Sequence, residues 1–548
     1  MIKSLTLISC FCLLTLLGNA QQLTVNSQVI FGSVTETTPD SSQITLSNNS
    51  GQTISVTGYR FYNTYGVPAF STSALTISIA SGSSQNIWIK FSPLHNIFHN
   101  SELVIFTDAH RGTLHVDLQG QGHYSNSYYD QSENLEEEAL KTTLQTITGA
   151  GYISLGYSTG ARDYMFMTLD NKLVNGQGAT QNTIECVYTG REAIGYVTRV
   201  DCQTNSNFNT EHTFPQAFFT SLEPMKSDLF HLFPTDDVAN NTRASYPFGM
   251  VNNPTWTVGG SKYAAGIFEP RDAHKGEVAR AMLYFVMRYQ NYNNFLDTQE
   301  NILKQWHQQF PPTVVETTRA NAIFTQQNNR NPFIDYPQLV DRITSFSTTS
   351  VATTNYSLDL VQDTIDYGTV LNGASNLYQY TVVNNGNQPI DFTSFTIQPS
   401  NQLVFASPFN GTPVTLQPGE SLPILITLST SQTGLFNGTL EINTNSVSQP
   451  LFIIPIIANA VVTGLSENNN TIRYTTFPNP FHDRICLSPS PSAKAVIRLF
   501  DVEGRVMQTS IGSDFQSFEI ISNALNAGVY MLEIKEENHV IRKVLLKD

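Results

Sequence analysis

Cysteine is nearly missing from this chain: there are five in 548 residues, and Cys10 and Cys12 sit in an apolar N-terminal run. Cys186, Cys202 and Cys486 remain, which excludes a disulfide-dense scaffold and leaves no Cys-x-x-Cys or Cys/His spacing for zinc. At most one bridge is expected, Cys186 to Cys202, with the reduced pair as the alternative. Basic residues are also few, 29 Lys and Arg against 44 Asp and Glu, for a net charge of −15. Capture of nucleic acid over the whole surface needs a basic face, so phosphate can be held only locally, through a metal and a few arginines. Long apolar runs are lacking too. Leu5 to Leu17 falls short of the ~20 residues of a membrane span. With Lys3 before it and Gly18-Asn19-Ala20 after it, this run reads as an export signal over residues 1–20. No other stretch suggests a stable membrane span.

What is present is a polar, β-rich chain too long for one core. Residues 21–123 alternate apolar and polar in short runs such as Ile87-Trp88-Ile89-Lys90-Phe91, the pattern of an antiparallel β-sandwich. The pattern returns: Phe31-Gly32 matches Tyr367-Gly368, Asn48-Asn49 matches Asn384-Asn385, and Gly82 matches Gly419, at a constant offset of 336 to 337 residues. A second sandwich is therefore expected over 359–463 as a divergent copy. Both resemble the immunoglobulin-like domains of the abnormal-spindle/hydin type.

Between the copies the period changes. Leu140, Leu144 and Ile147 recur at helical spacing after Glu136-Glu137-Glu138, and Glu277 to Gln290 and Asp297 to Gln309 read as further helices, the last stopped by Pro311-Pro312. An α+β domain is expected over 124–346, with a Thr/Ser-rich linker at 347–358. In residues 468–548, Phe477-Pro478-Asn479-Pro480-Phe481, Asp501-Val502-Glu503-Gly504-Arg505, Ala527-Gly528-Val529-Tyr530 and Arg542-Lys543-Val544 follow in order. This segment resembles the C-terminal sorting domain of the type IX secretion system. The resemblance implies that machinery as a partner and a secreted or cell-surface location.

The chemistry concentrates between Phe208 and Phe248. Hydrolysis of a phosphodiester needs a base for water, a cation for the developing charge and a holder for the phosphate. His212 is the candidate base, and Glu211 and Asn240 are oxygen ligands that leave room for water and phosphate, as Mg²⁺ prefers. Neighbours on a strand face opposite ways, so Glu211 and His212 can share a site only where the strand ends or bulges. Thr235 suits a helix N-cap, Asp236 and Asp237 suit its first turn, and Asn240 and Arg243 then share a face. His231 reads as a buried or orienting residue, and Asp228 as a structural hydrogen-bonding residue.

Three blocks carry a resemblance. Asn209-Thr210-Glu211-His212-Thr213-Phe214-Pro215, then Asp228-Leu229-Phe230-His231-Leu232-Phe233-Pro234 with Asn240 and Arg243, then Phe268-Glu269-Pro270 with Lys275-Gly276-Glu277-Val278-Ala279-Arg280, are similar to the endonuclease I family. The resemblance implies a multidomain chain whose central α+β domain is a ββα-metal (His-Me finger) nuclease. Immunoglobulin-like sandwiches flank this domain, and a small C-terminal β domain ends the chain. It further implies cleavage of DNA and/or RNA to 5′-phosphates. His212 is then the base, and Glu211 and Asn240 hold Mg²⁺ or another divalent cation. The phosphate-holding arginine is left open among Arg243, Arg271 and Arg280. Ala244 stands where the family usually has serine, and the cysteine-rich framework of some members is absent. The rival reading is a surface adhesin whose nuclease-like domain is inactive.

Overall fold

The computed structural model describes residues 23–63, 68–73, 77–108, 112–289, 295–446, 449–462 and most of 475–547. The export signal expected at 1–20 and the boundary before the C-terminal domain lie outside the described residues. The chain forms two compact units, Met1–Ala460 and Val461–Asp548.

In the larger unit the sequence repeat becomes a structural one. Each copy stacks a four-stranded on a five-stranded sheet, and the order of strands within the two sheets is the same in both copies. Alternation does the work: Ile87, Ile89 and Phe91 of Ser84–Phe91 are buried while Trp88 between them is 55% exposed, each buried side chain contributing roughly 1.5–3 kcal/mol. One pairing departs from expectation. Gln28–Thr35 runs parallel to Thr113–His123, because alternation fixes which face is buried and not the direction of the neighbouring strand.

The two copies touch across the intervening domain. Gly112 bridges to Gln379 at φ +97°, and a Cβ there would sit 2.3 Å from the Gln379 carbonyl oxygen, so this approach requires glycine. Beside it, Tyr62 and Val104 pack on Val361 and Val383, and His115 Nε2 lies 2.8 Å from Thr381 Oγ1.

The central domain packs around the helix Asp272–Tyr289, whose residues from Val278 to Met287 are buried apolar ones except Arg280. Glu137–Gly149, Glu300–Gln309 and Val314–Gln327 complete its main helices. The long helix starts before the expected Glu277 and runs through Gly276, where a Cβ would lie 2.3 Å from the Phe310 carbonyl. The start of the expected linker is not free: Glu300 accepts from the Phe346 and Ser347 amides, and Glu138 from the Ser350 amide. Cys186 and Cys202 are both buried free thiols. The Cys186 sulfur accepts from the amides of Thr189 and Asp236, so it serves the turn before the site rather than a bridge.

In the smaller unit a three-stranded and a four-stranded sheet enclose a core that includes Phe481, Ile485, Leu499, Leu532 and Leu545. Among the described residues no helix is long and apolar enough to cross a membrane.

Candidate active site

The stretch around Glu211 folds as strand Phe208–His212, antiparallel strand Leu232–Asp236, then helix Asp237–Arg243. Pro234 is tolerated in this two-stranded ribbon, where it pairs with Thr210. The helix cap is Asp236, not the expected Thr235: its carboxylate accepts from the Ala239 amide at 2.8 Å, while Thr235 is buried in the strand. Asp237 is left as the acidic residue of the first turn.

The strand stops at His212, but the side chains of Glu211 and His212 keep separate partners. On one face Glu211, 2% exposed, accepts from the Tyr188 hydroxyl at 2.7 Å. Arg243 Nε lies 3.3 Å from the same Oε1 but is not aligned for a hydrogen bond. Its guanidinium donates instead to the carbonyls of Thr213 (2.6 Å) and Ala244 (3.0 Å) and covers the ring of Phe248. Arg243 thus ties the Glu211 carboxylate to the backbone just past His212. Burial raises the Glu211 carboxyl above its ordinary range, against the opposing pull of Arg243 and Tyr188.

His212 occupies the other face, near Tyr157, Phe219 and His231, with ring centroids at 5.2, 6.4 and 5.4 Å. Its Nε2 lies 3.0 Å from the Lys226 carbonyl, which can only accept, so Nε2 carries the proton. Nδ1 is then the basic atom, and it accepts from the Gln216 amide at 3.1 Å. Burial holds the imidazole well below its ordinary pKa, helped by the nearby charges of His231, Lys226 and Arg162. His231 is buried and donates from Nε2 to the Met225 carbonyl. Asp228 caps the turn through Phe230 and accepts from Tyr284 and Tyr289, the structural part expected of it.

Asn240 lies one turn before Arg243 on the helix facing Glu211, and its half-buried side-chain amide makes no hydrogen bond among the described residues. Glu211 Oε2 is likewise without a partner there. An unengaged carboxylate oxygen and an unengaged amide oxygen are hard donors of the kind a small divalent cation takes. Among the described residues no cluster of three or more His, Cys, Asp or Glu is arranged to hold a metal, and the pair here is sparser than such a cluster.

The arginines proposed from sequence are otherwise engaged. Arg280 is 1% exposed, forks onto Glu316 at 2.7 and 2.6 Å and donates to the Phe310 carbonyl. Arg271 is bound to Glu185 and the Val187 carbonyl. Arg243 and Arg280 are enclosed and offer no open guanidinium to a phosphate, whereas Arg271 is 24% exposed and committed to Glu185. Arg280 pairs with Glu316, and Glu269 with Lys262 and Lys275. Tyr157, Tyr188, Gln216 and Arg162 went unnoticed in the sequence, and no local spacing ties them to the Glu-His pair.

Three segments of the chain match family models. The model of the endonuclease I family matches residues 137–338, that of the secretion system C-terminal sorting domain 475–547, and that of the HYDIN/CFA65/VesB-like Ig-like domain 357–458. The chain is 28% identical over 238 residues to the extracellular ribonuclease of Bacillus subtilis, covering 40% of this chain and 78% of that one. It is also 28% identical over 236 residues to the extracellular ribonuclease of Bacillus amyloliquefaciens, with the same shares. A PapD-like domain of human CEP192 covers 22% of this chain and 99% of its own at 14% identity, with a TM-score of 0.18. The site residues Glu211, His212, Asn240 and Arg243 all fall inside the segment that matches the endonuclease I family.

Proposed function

We propose that this protein is a secreted, metal-dependent, non-specific endonuclease that hydrolyses phosphodiester bonds of DNA and/or RNA to 5′-phosphate products, using the ββα-metal arrangement of Phe208 to Arg243. The observation that carries the reading is the His212 ring, fixed by the Lys226 carbonyl so that Nδ1 keeps its lone pair. Nδ1 takes the proton of the attacking water once Gln216 yields its place. The neutral resting state follows from burial and from the surrounding positive charge. Arg243 positions the Glu211 carboxylate and the backbone after His212 together.

Glu211 and Asn240 would hold Mg²⁺ or another divalent cation, which supplies Lewis-acid stabilisation of the charge on the phosphate and the leaving oxygen. Support for the substrate class comes from the ribonuclease relatives and the family match. Support for export comes from the sorting-domain match. The test is digestion of plasmid and total RNA by wild type and His212→Ala, with Mg²⁺ or with EDTA. Wild type with metal is expected to cut, and the other conditions are not. Undiminished cutting by His212→Ala refutes the base, and no cutting by wild type turns the reading toward a surface binding protein with an inactive nuclease-like domain.

A further inference from the structure

With Arg243 and Arg280 enclosed and Arg271 bound to Glu185, the phosphate still needs a cation. Arg162 and Lys226 stand beside His212 on its own face of the strand. The guanidinium carbon of Arg162 lies 4.6 Å and the Lys226 ammonium 4.8 Å from the centroid of the Tyr157 ring, and that ring is 5.2 Å from His212. Both cations contribute to the charge felt by His212. Neither forms an ion pair among the described residues, whereas neighbouring Arg199 is bound to Asp163 at 2.5 Å. Asp163 is thus taken by Arg199, and a second carboxylate near the Tyr157 ring, Glu223, accepts from Ser227 through Oε2.

Arg162 shows a further oddity: its Nε is buried and has no hydrogen-bond partner. A buried donor left unmade costs on the order of 1–3 kcal/mol, more when charged, so native proteins rarely leave one without a use. The local backbone is unusual as well. Arg162–Tyr164 is a single α-helical turn between two wide turns, Tyr157–Ala161 and Met165–Leu169. Their closing bonds span five residues, Gly156 to Ala161 and Met165 to Asp170, a geometry frequent at functional sites. Two cations sharing one aromatic ring repel each other, and the cation–π attraction of each, roughly 0.5–2 kcal/mol, is what holds them there. In a chain of net charge −15, such a pair next to the base has the chemistry of a receptor for one anion.

We propose that Arg162, supported by Lys226 on the Tyr157 ring, holds the phosphodiester against His212, the role that the sequence left open among three other arginines. The planar fork of Arg162 gives two parallel donors to the phosphate oxygens, while Lys226 adds a point charge. The inference rests on the nuclease reading, and its test separates the two.

Cleavage of a labelled oligonucleotide is followed with metal between about 50 and 200 mM salt. Binding of the same oligonucleotide is followed by fluorescence anisotropy in EDTA. Wild type, Arg162→Ala, Arg162→Lys, Lys226→Ala and His212→Ala are compared, with thermal unfolding as the check on folding. Arg162→Ala is expected to lower kcat/KM on the order of a hundredfold and to make the salt slope of binding shallower by about one. Arg162→Lys should recover part of the rate, and Lys226→Ala should show the same signs with a smaller loss. His212→Ala should lose cleavage and keep both binding and its salt slope. If wild type cuts while Arg162→Ala cuts within about twofold and binds with an unchanged slope, the Arg162 assignment is overturned and the nuclease reading stands. If wild type does not cut, the nuclease reading falls, and an unchanged anisotropy slope in Arg162→Ala then overturns the anion site as well. Should Arg162→Ala fail to fold, Arg162→Lys and Lys226→Ala decide by the same slopes.

Discussion

Replacing Arg243 by methionine keeps a long apolar stem and removes the charge that accompanies Glu211. Both side chains are almost wholly enclosed, at 1% and 2% exposure. Stripping the cation from a buried pair costs roughly 3–5 kcal/mol, because the remaining carboxylate is left without compensation. The Thr213 and Ala244 carbonyls lose their donors in the same step. For a domain of this size about 1 kcal/mol moves the melting point by roughly 2–4 °C, so the central transition should fall by roughly 6–20 °C. Glu211→Gln removes the opposite charge and should cost less, since the guanidinium keeps two carbonyl acceptors. The double variant should then be more stable than the two single losses added together, with a coupling of about 2 kcal/mol. Thermal and urea unfolding of the four proteins in EDTA, read by near-UV circular dichroism, measures that cycle. A coupling below about 0.5 kcal/mol, within the additivity expected of independent sites, would refute the claim that Arg243 is the counter-ion of Glu211.

Asn240→Ala should raise the metal concentration needed for half-maximal cleavage by at least about tenfold, the scale on which a ligand's support is measured. Its melting point in EDTA should stay put, because the amide bonds to no described residue; a shift in stability without a shift in metal demand would contradict the assignment. His95, His99 and His307 are buried with pKa values lowered to about 4, chiefly by burial. The unfolded chain protonates them near 6.5 while the folded chain refuses. Their stabilisation is therefore full above that pH and is lost as the pH falls toward 4, at up to about 4 kcal/mol per unit for the three together. Urea midpoints that stay level from pH 7 to pH 5 would sink this account. Gly276→Ala places a methyl group against the Phe310 carbonyl and should destabilise the central domain by roughly 1–3 kcal/mol, visible in the same melts.

The parts of the site that were legible in the sequence are those whose geometry is local. Asn240 and Arg243 share a helix face because three residues make nearly one turn, and strand alternation alone sets the condition under which Glu211 and His212 can share a site. The duplicated sandwiches were legible through a constant offset, since a copied fold keeps its turns at the same intervals. What stayed hidden depends on contacts distant in sequence. Nothing around Tyr188 announces that its hydroxyl meets Glu211, and Arg162 sits fifty residues before the histidine it stands beside. Arg243 and Arg280 look equally available on paper, because a motif records a residue type and not its burial. The thiols of Cys186 and Cys202 teach the same lesson: their spacing permits a bridge, and the fold spends one sulfur on two backbone amides instead. The choice of Asp236 over Thr235 as cap turns on a single residue of strand length.

The contact between the two sandwiches has a mechanical consequence. Gly112 meets Gln379, and His115 meets Thr381, a residue 266 positions further along the chain. The central domain is therefore a loop whose two ends are pinned side by side rather than a link in series between two beads. Tension applied to the chain on either side, as in threading through a narrow passage or tethering to a surface, would load the sandwich-to-sandwich seam in shear first. Until that seam parts, the strand end that carries Glu211 and His212 bears none of the pull.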